Sequence, residues 1–170
     1  MVVLGIDPGY AIIGFGAVKV INNNDYSPIG FGAITTDLDT DFNSRLETIY
    51  NETVLVINKY KPNALAIEKL YFQSNQKTAI MVAEARGVIL LAAQKSKIPV
   101  FEYTPLQVKT AVTGYGRAKK TQIMDMTRRL LKLAEVPKPD DTADALAIAV
   151  CHINSVGSDT RINMIKRGII

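Results

Sequence analysis

Apolar residues come first in short runs and later at every third or fourth position. The run "VVLGI" at 2–6 reads as a buried strand. "AIIGFGAVKV" at 11–20 and "SPIGFGAIT" at 27–35 read as two more, divided by the turn-rich "NNND" at 22–25. The "GFGA" shared by both predicts a tightly packed, twisted antiparallel meander. The period then lengthens. Leu46, Ile49, Tyr50, Val54 and Ile57 fall at helical spacing between Arg45 and Tyr60. "NALAIE" at 63–68 predicts a short buried strand, 76–96 a long and very apolar helix, and "IPVFEY" at 98–103 another strand. A short helix is expected from Pro105, a basic amphipathic helix over 121–133, a loop at 136–141 and a final apolar helix over 142–154. This order predicts an α/β fold with a five-stranded mixed sheet, three antiparallel strands then two parallel, covered by helices. Residues 1–156 are expected to form one domain, and 157–170 a flexible basic tail.

Composition narrows the function classes. The chain has 170 residues, long enough for one sizeable core. Its single cysteine, Cys151, excludes an internal disulfide and fits a reducing compartment. Neither a secretory signal pattern nor an apolar run of membrane-spanning length is seen, so a cytoplasmic protein is expected. Net charge is +4, unevenly placed: residues 109–138 hold eight Lys or Arg against Asp125 and Glu135. Such a concentration points to a polyanionic partner, although a solvated helix face would look the same.

Two strands end on carboxylates. "LGIDPG" runs into Asp7 and "LAIE" into Glu68. Alone, Asp7 is also what a Pro-Gly turn favours, and Glu68 could face solvent. If the two strands are parallel neighbours, however, the carboxylates lie side by side at the edge where α/β sheets bind ligands. In "PDDTADALAIAV", Asp141 and Asp144 share one face of a helix start. Acids there also satisfy free N–H groups and the helix dipole. Together the four carboxylates form a plausible oxygen-ligand site for Mg²⁺. Cys151 is expected in the core, His152 on the helix surface, and Asp140 as a helix cap.

These motifs, with "VFEYTPLQVKTAVTGYGRAKKTQ", resemble the RuvC family of bacterial Holliday-junction resolvases from Val2 to about His152. The resemblance implies a ribonuclease H-like fold and a homodimer, twofold through the 76–96 helix. It implies paired symmetric nicks in four-way junction DNA that leave 5′-phosphate and 3′-hydroxyl ends. Two Mg²⁺ per active site are implied, with Mn²⁺ able to substitute, and the RuvA–RuvB branch-migration complex as a partner. By motif, the catalytic and metal-ligating residues fall on Asp7, Glu68, Asp141 and Asp144. Lys109 and Lys120 match basic residues near the cleaved strand, Arg117 and Lys119 add backbone contacts, and Tyr71 stands where an aromatic stacks on an unpaired base. Three rivals remain: another ribonuclease H-like nuclease, a non-catalytic junction-binding module, and an actin-like ATPase, for which the chain is too short.

Overall fold

In the computed structural model, residues 1–22, 25–70 and 76–166 are described, the side chains of 76, 77 and 158–166 excepted. The strands β1 (Val2–Asp7), β2 (Ile12–Asn22) and β3 (Asp25–Thr35) form the antiparallel meander. Helix α1 (Phe42–Tyr60) leads to β4 (Ala64–Glu68), and α2 (Gln76–Lys95) to β5 (Val100–Tyr103). Both later strands are parallel, giving the order β3-β2-β1-β4-β5. Helices α3 (Pro105–Thr113), α4 (Lys120–Leu130) and α5 (Asp140–Lys166) complete the chain. The expected α/β class and mixed sheet are both found. The boundary expected at 156 falls inside α5, whose helical backbone runs on to Lys166.

Period-two alternation sorts the sheet's side chains to two cores. Leu4, Ile6, Ile13, Leu65 and Ile67 pack on the side covered by α1 and α2. Val3, Val18 and Ala66 face the other side, with α5 at its centre. By the same alternation Asp7 and Glu68, two residues beyond Gly5 and Ala66, point to the α5 side. Gly14 and Gly16 explain half of the "GFGA" repeat. A Cβ on Gly14 would run into the Asp141 carbonyl, and one on Gly16 would come 2.6 Å from Leu146 Cδ2. These bare positions let α5 lie directly on the sheet, so its first turn reaches the strand ends.

Two expectations are corrected. His152 is buried, not on a helix surface: it is 1% exposed, and its Nδ1 shares a 2.7 Å hydrogen bond with the Tyr103 hydroxyl. Helix α5 is enclosed by sheet and helices together, which leaves position 152 no path to water. Asp140 does not cap α5. It is the helix's first residue, and its carboxylate accepts from Lys138 Nζ at 2.9 Å. Cys151 lies in the core as expected.

Candidate active site

Register brings the first two carboxylates together. Ile6 pairs with Ile67 across the parallel β1–β4 ladder, and one step further sets Asp7 beside Glu68. Asp141 and Asp144 arrive from the first turns of α5. All four side chains are half-buried. Burial, and then the charges of Asp144, Glu68 and Asp141, push the Asp7 carboxyl up to about 8. Burial and then Asp144 also raise Glu68, against a lowering influence from Lys109. Burial raises Asp144, although the hydrogen bond from Lys120 opposes it. The site is therefore short of positive charge.

Lys120, first residue of α4, supplies part of that charge. Its Nζ lies 3.0 Å from Asp144 and 3.6 Å from Asp140. Burial alone would lower the Lys120 pKa, but the hydrogen bond and charge of Asp144 outweigh it and raise the value. An open cleft of about 790 Å³ spans the sheet edge, lined by Asp7, Glu68, Lys69, Thr104, Leu106 and Lys109 among others. A smaller one of about 250 Å³ joins Glu68, Lys109, Lys120 and Asp144. Among the described residues, no three carboxylate, imidazole or thiol groups are drawn into a closed cage. An all-oxygen donor set with uncompensated charge, free of His and Cys, fits a hard divalent cation.

Two arginines that pattern reading missed hold the backbone on which the acids sit. Arg86 of α2 donates from Nε to the Glu68 carbonyl at 3.3 Å and from Nη2 to Glu102 at 2.6 Å. Arg45 of α1 is buried. It donates to Thr36 Oγ1 at 2.9 Å and to the Tyr10 carbonyl at 3.1 Å, and its guanidinium lies 4.9 Å from the centre of the Tyr10 ring. Thr36 Oγ1 donates to the same carbonyl at 2.8 Å. The turn that follows Asp7 is thus tied to α1. A charged residue inside a helical pattern carries no sign of which backbone carbonyl it will meet, so neither contact was legible beforehand.

Comparison with known proteins decides the family. Residues 3–152 match the family model for the crossover junction endodeoxyribonuclease RuvC. The chain belongs to the RuvC family. It is 53% identical to the crossover junction endodeoxyribonuclease RuvC of Ruminiclostridium cellulolyticum, over 91% of this chain and 93% of that one. The corresponding protein of Caldanaerobacter subterraneus is 54% identical over the same shares. The structure resembles that of T. thermophilus RuvC in complex with a Holliday junction substrate, with a TM-score of 0.89 and 35% identity over 94% of this chain and 97% of that one. A yeast mitochondrial Holliday junction resolvase shares the fold at a TM-score of 0.70 and 14% identity, over 97% of this chain and 85% of that one. The fold is the ribonuclease H-like one expected.

The site residues named from sequence fall unequally within this RuvC-type architecture. Asp7, Glu68, Asp141 and Asp144 come together, and Lys109 and Lys120 line the clefts beside them. Arg117 and Lys119 are exposed on the loop entering α4. Tyr71 lies outside the described residues. The basic run is partly spent on internal pairs: Arg128 and Arg129 meet Asp125, Lys132 meets Asp25, and Lys138 meets Asp140.

Proposed function

We propose that this chain is a metal-dependent, structure-selective endonuclease that resolves four-way DNA junctions by paired symmetric nicks, with Asp7, Glu68, Asp141 and Asp144 as its catalytic set. The observation that carries this reading is the convergence of those four carboxylates at one sheet edge, where Asp7, Glu68 and Asp144 line adjoining clefts flanked by Lys109 and Lys120 and the Asp141 charge acts on both Asp7 and Asp144. Membership of the RuvC family supports it.

Each residue has a task in the hydrolysis. Asp7 sits at the end of a rigid central strand, so its position is set by the ladder and not by a loop. Asp7, Glu68, Asp141 and Asp144 would together hold the divalent cations, two Mg²⁺ or Mn²⁺ in their place, with Asp7 as the central ligand. The bound cations would supply charge neutralisation at phosphorus and an acidified water for in-line attack. Lys109 and Lys120 hold the phosphate of the cleaved strand, and Lys120 stabilises the charge that develops there. Arg117 and Lys119, exposed on the loop entering α4, meet the backbone of a duplex arm. Tyr71 is assigned stacking on an unpaired base.

Paired cuts need two copies. Helix α2 leaves Ile80 and Leu91 more than half exposed, and Gly87 between them has open space before it. Their spacing puts all three on one face, and we assign this face to a twofold homodimer. The RuvA–RuvB branch-migration complex is the assigned partner. Among the described residues no helix is long and apolar enough to cross a membrane, and we place the protein in the cytoplasm.

The test is incubation of the chain with a synthetic four-way junction, the matching linear duplex and an RNA–DNA hybrid, each with Mg²⁺ or EDTA. Symmetric nicks confined to the junction with Mg²⁺ are expected. Preferential cutting of the hybrid or duplex would place the chain with another ribonuclease H-like nuclease. Tight junction binding without cutting would make it a binding module.

A further inference from the structure

Leu106 is the feature that the proposed chemistry does not use. It is 62% exposed, yet it lines the same cleft as Asp7, Glu68 and Lys109. A lone apolar side chain on a protein surface is ordinary. Leu106 differs because the surrounding structure fixes where it stands. It is the second residue of α3, whose start is locked by a capping box: Thr104 Oγ1 accepts from Gln107 N at 3.1 Å, and Gln107 Oε1 from Thr104 N at 2.8 Å. Behind it lies Gly116, where a Cβ would stand 2.5 Å from Leu106 Cδ1. The loop carrying Gly116 is pinned in turn. Thr113 Oγ1 shares its one proton between the Lys109 and Tyr115 carbonyls, at 2.8 and 3.0 Å, and accepts from Tyr115 N at 3.2 Å. Beside Gly116 stands Tyr115, itself 58% exposed.

The cleft therefore sets an apolar projection, with Pro8, Leu70 and Pro105 also in its lining, beside ammonium and carboxylate groups. A polynucleotide strand has the matching make-up, anionic phosphates alternating with bases whose faces are apolar. With Lys109 one turn along α3 holding a phosphate, the Leu106 side chain is within a nucleotide's reach of it. We propose that Leu106 is a substrate-contact residue that packs against the face of an unstacked base flanking the scissile phosphate. This contact rests on the nuclease reading above and adds, within the cleft that holds the carboxylates, a base-directed element separate from the stacking assigned to Tyr71. It favours a crossover, where flanking bases unstack at little cost, over a continuous duplex, where stacking must first be broken.

The experiment is single-turnover cleavage at saturating enzyme. Wild type, Leu106→Ala and Leu106→Met act on an intact four-way junction and on junctions with an abasic residue on either side of the mapped cut. Leu106→Ala should cut the intact junction about tenfold more slowly, and Leu106→Met within about twofold of wild type. On the junction lacking the contacted base, wild type should slow by a similar factor and Leu106→Ala should lose less than twofold more, because both changes delete one contact. An unchanged Leu106→Ala rate overturns the contact, as do losses that multiply at both abasic positions. Unchanged thermal melting of Leu106→Ala is expected for so exposed a side chain; a melting loss large enough to account for the slower rate also overturns it. A wild-type chain that leaves the intact junction uncut overturns the nuclease reading, and the contact with it.

Discussion

Under the proposed function, Lys120 would serve both the resting and the working site. Its ammonium sits 3.0 Å from Asp144, where it offsets part of a charge that burial makes costly. A phosphate entering the cleft offers the same ammonium a second anion. Transition-state charge gains more from a positioned cation than ground-state charge does. Lys120→Ala should therefore slow single-turnover cleavage about 100-fold and weaken junction affinity by no more than about tenfold at fixed salt. Equal losses that recover fully at saturating enzyme would make Lys120 a docking residue only. Asp140 provides the control. It is more exposed than Asp144 and also held by Lys138, so Asp140→Asn should stay within about threefold of wild-type rate. That this acid binds lysines and does not cap α5 was hidden in the sequence, since first-turn acids look alike whatever they pair with. The other four carboxylates were legible because two end apolar strands and two open an apolar helix, positions where an unpaired charge needs a reason.

At the scale of elements, the turn after β1 is the part most dependent on its neighbours. Buried Arg45 meets no carboxylate there among the ion pairs of the described residues; the Tyr10 carbonyl and Thr36 hydroxyl take its hydrogen bonds. Removing the guanidinium leaves the Tyr10 carbonyl held by Thr36 Oγ1, with the edge contact between the Tyr10 and Phe42 rings as the remaining tie to α1. Arg45→Ala should cost about 1–3 kcal/mol in denaturant unfolding and lower the cleavage rate about tenfold with junction affinity unchanged. A normal rate would mean that the turn keeps Asp7 in place without α1. Strands and long helices were readable from their periods. The start of α5 was not, because "VPKPDD" signals a loop and yet Asp140 and Asp141 already belong to the helix. The capping box of α3 was present as "TPLQ" and defines an element that periodicity left ambiguous.

For the whole molecule, the acidic edge makes stability depend on pH and on cations. The native chain keeps a proton on Asp7 up to about pH 8, whereas the ordinary aspartate value is 3.8. The folded state binds the extra proton between those values, so metal-free stability should fall as pH rises through that window. Removing the charge should remove the loss. Metal-free Asp7→Asn should melt above wild type at pH 8, by about 2–4 °C per kcal/mol of relieved cost, and the two should converge towards pH 4. Adding Mg²⁺ should raise the wild-type melting temperature at pH 8 and leave the variant nearly unchanged. Identical melting curves for the two proteins at pH 8 would mean that the edge is already compensated within the chain.

The central claim is that four carboxylates carried by two parallel strands and one helix start act together on a phosphodiester bond. The most direct measurement is cleavage and binding of one four-way junction by wild type, Asp7→Asn, Glu68→Gln, Asp141→Asn and Asp144→Asn under saturating Mg²⁺. Wild type should give paired symmetric nicks. Each variant should cut at least about 1000-fold more slowly while binding the junction with wild-type affinity to within about threefold, because Lys109, Lys120 and their neighbours supply the affinity. Any one variant that cuts within a few fold of wild type would remove that carboxylate from the catalytic set and contradict the claim.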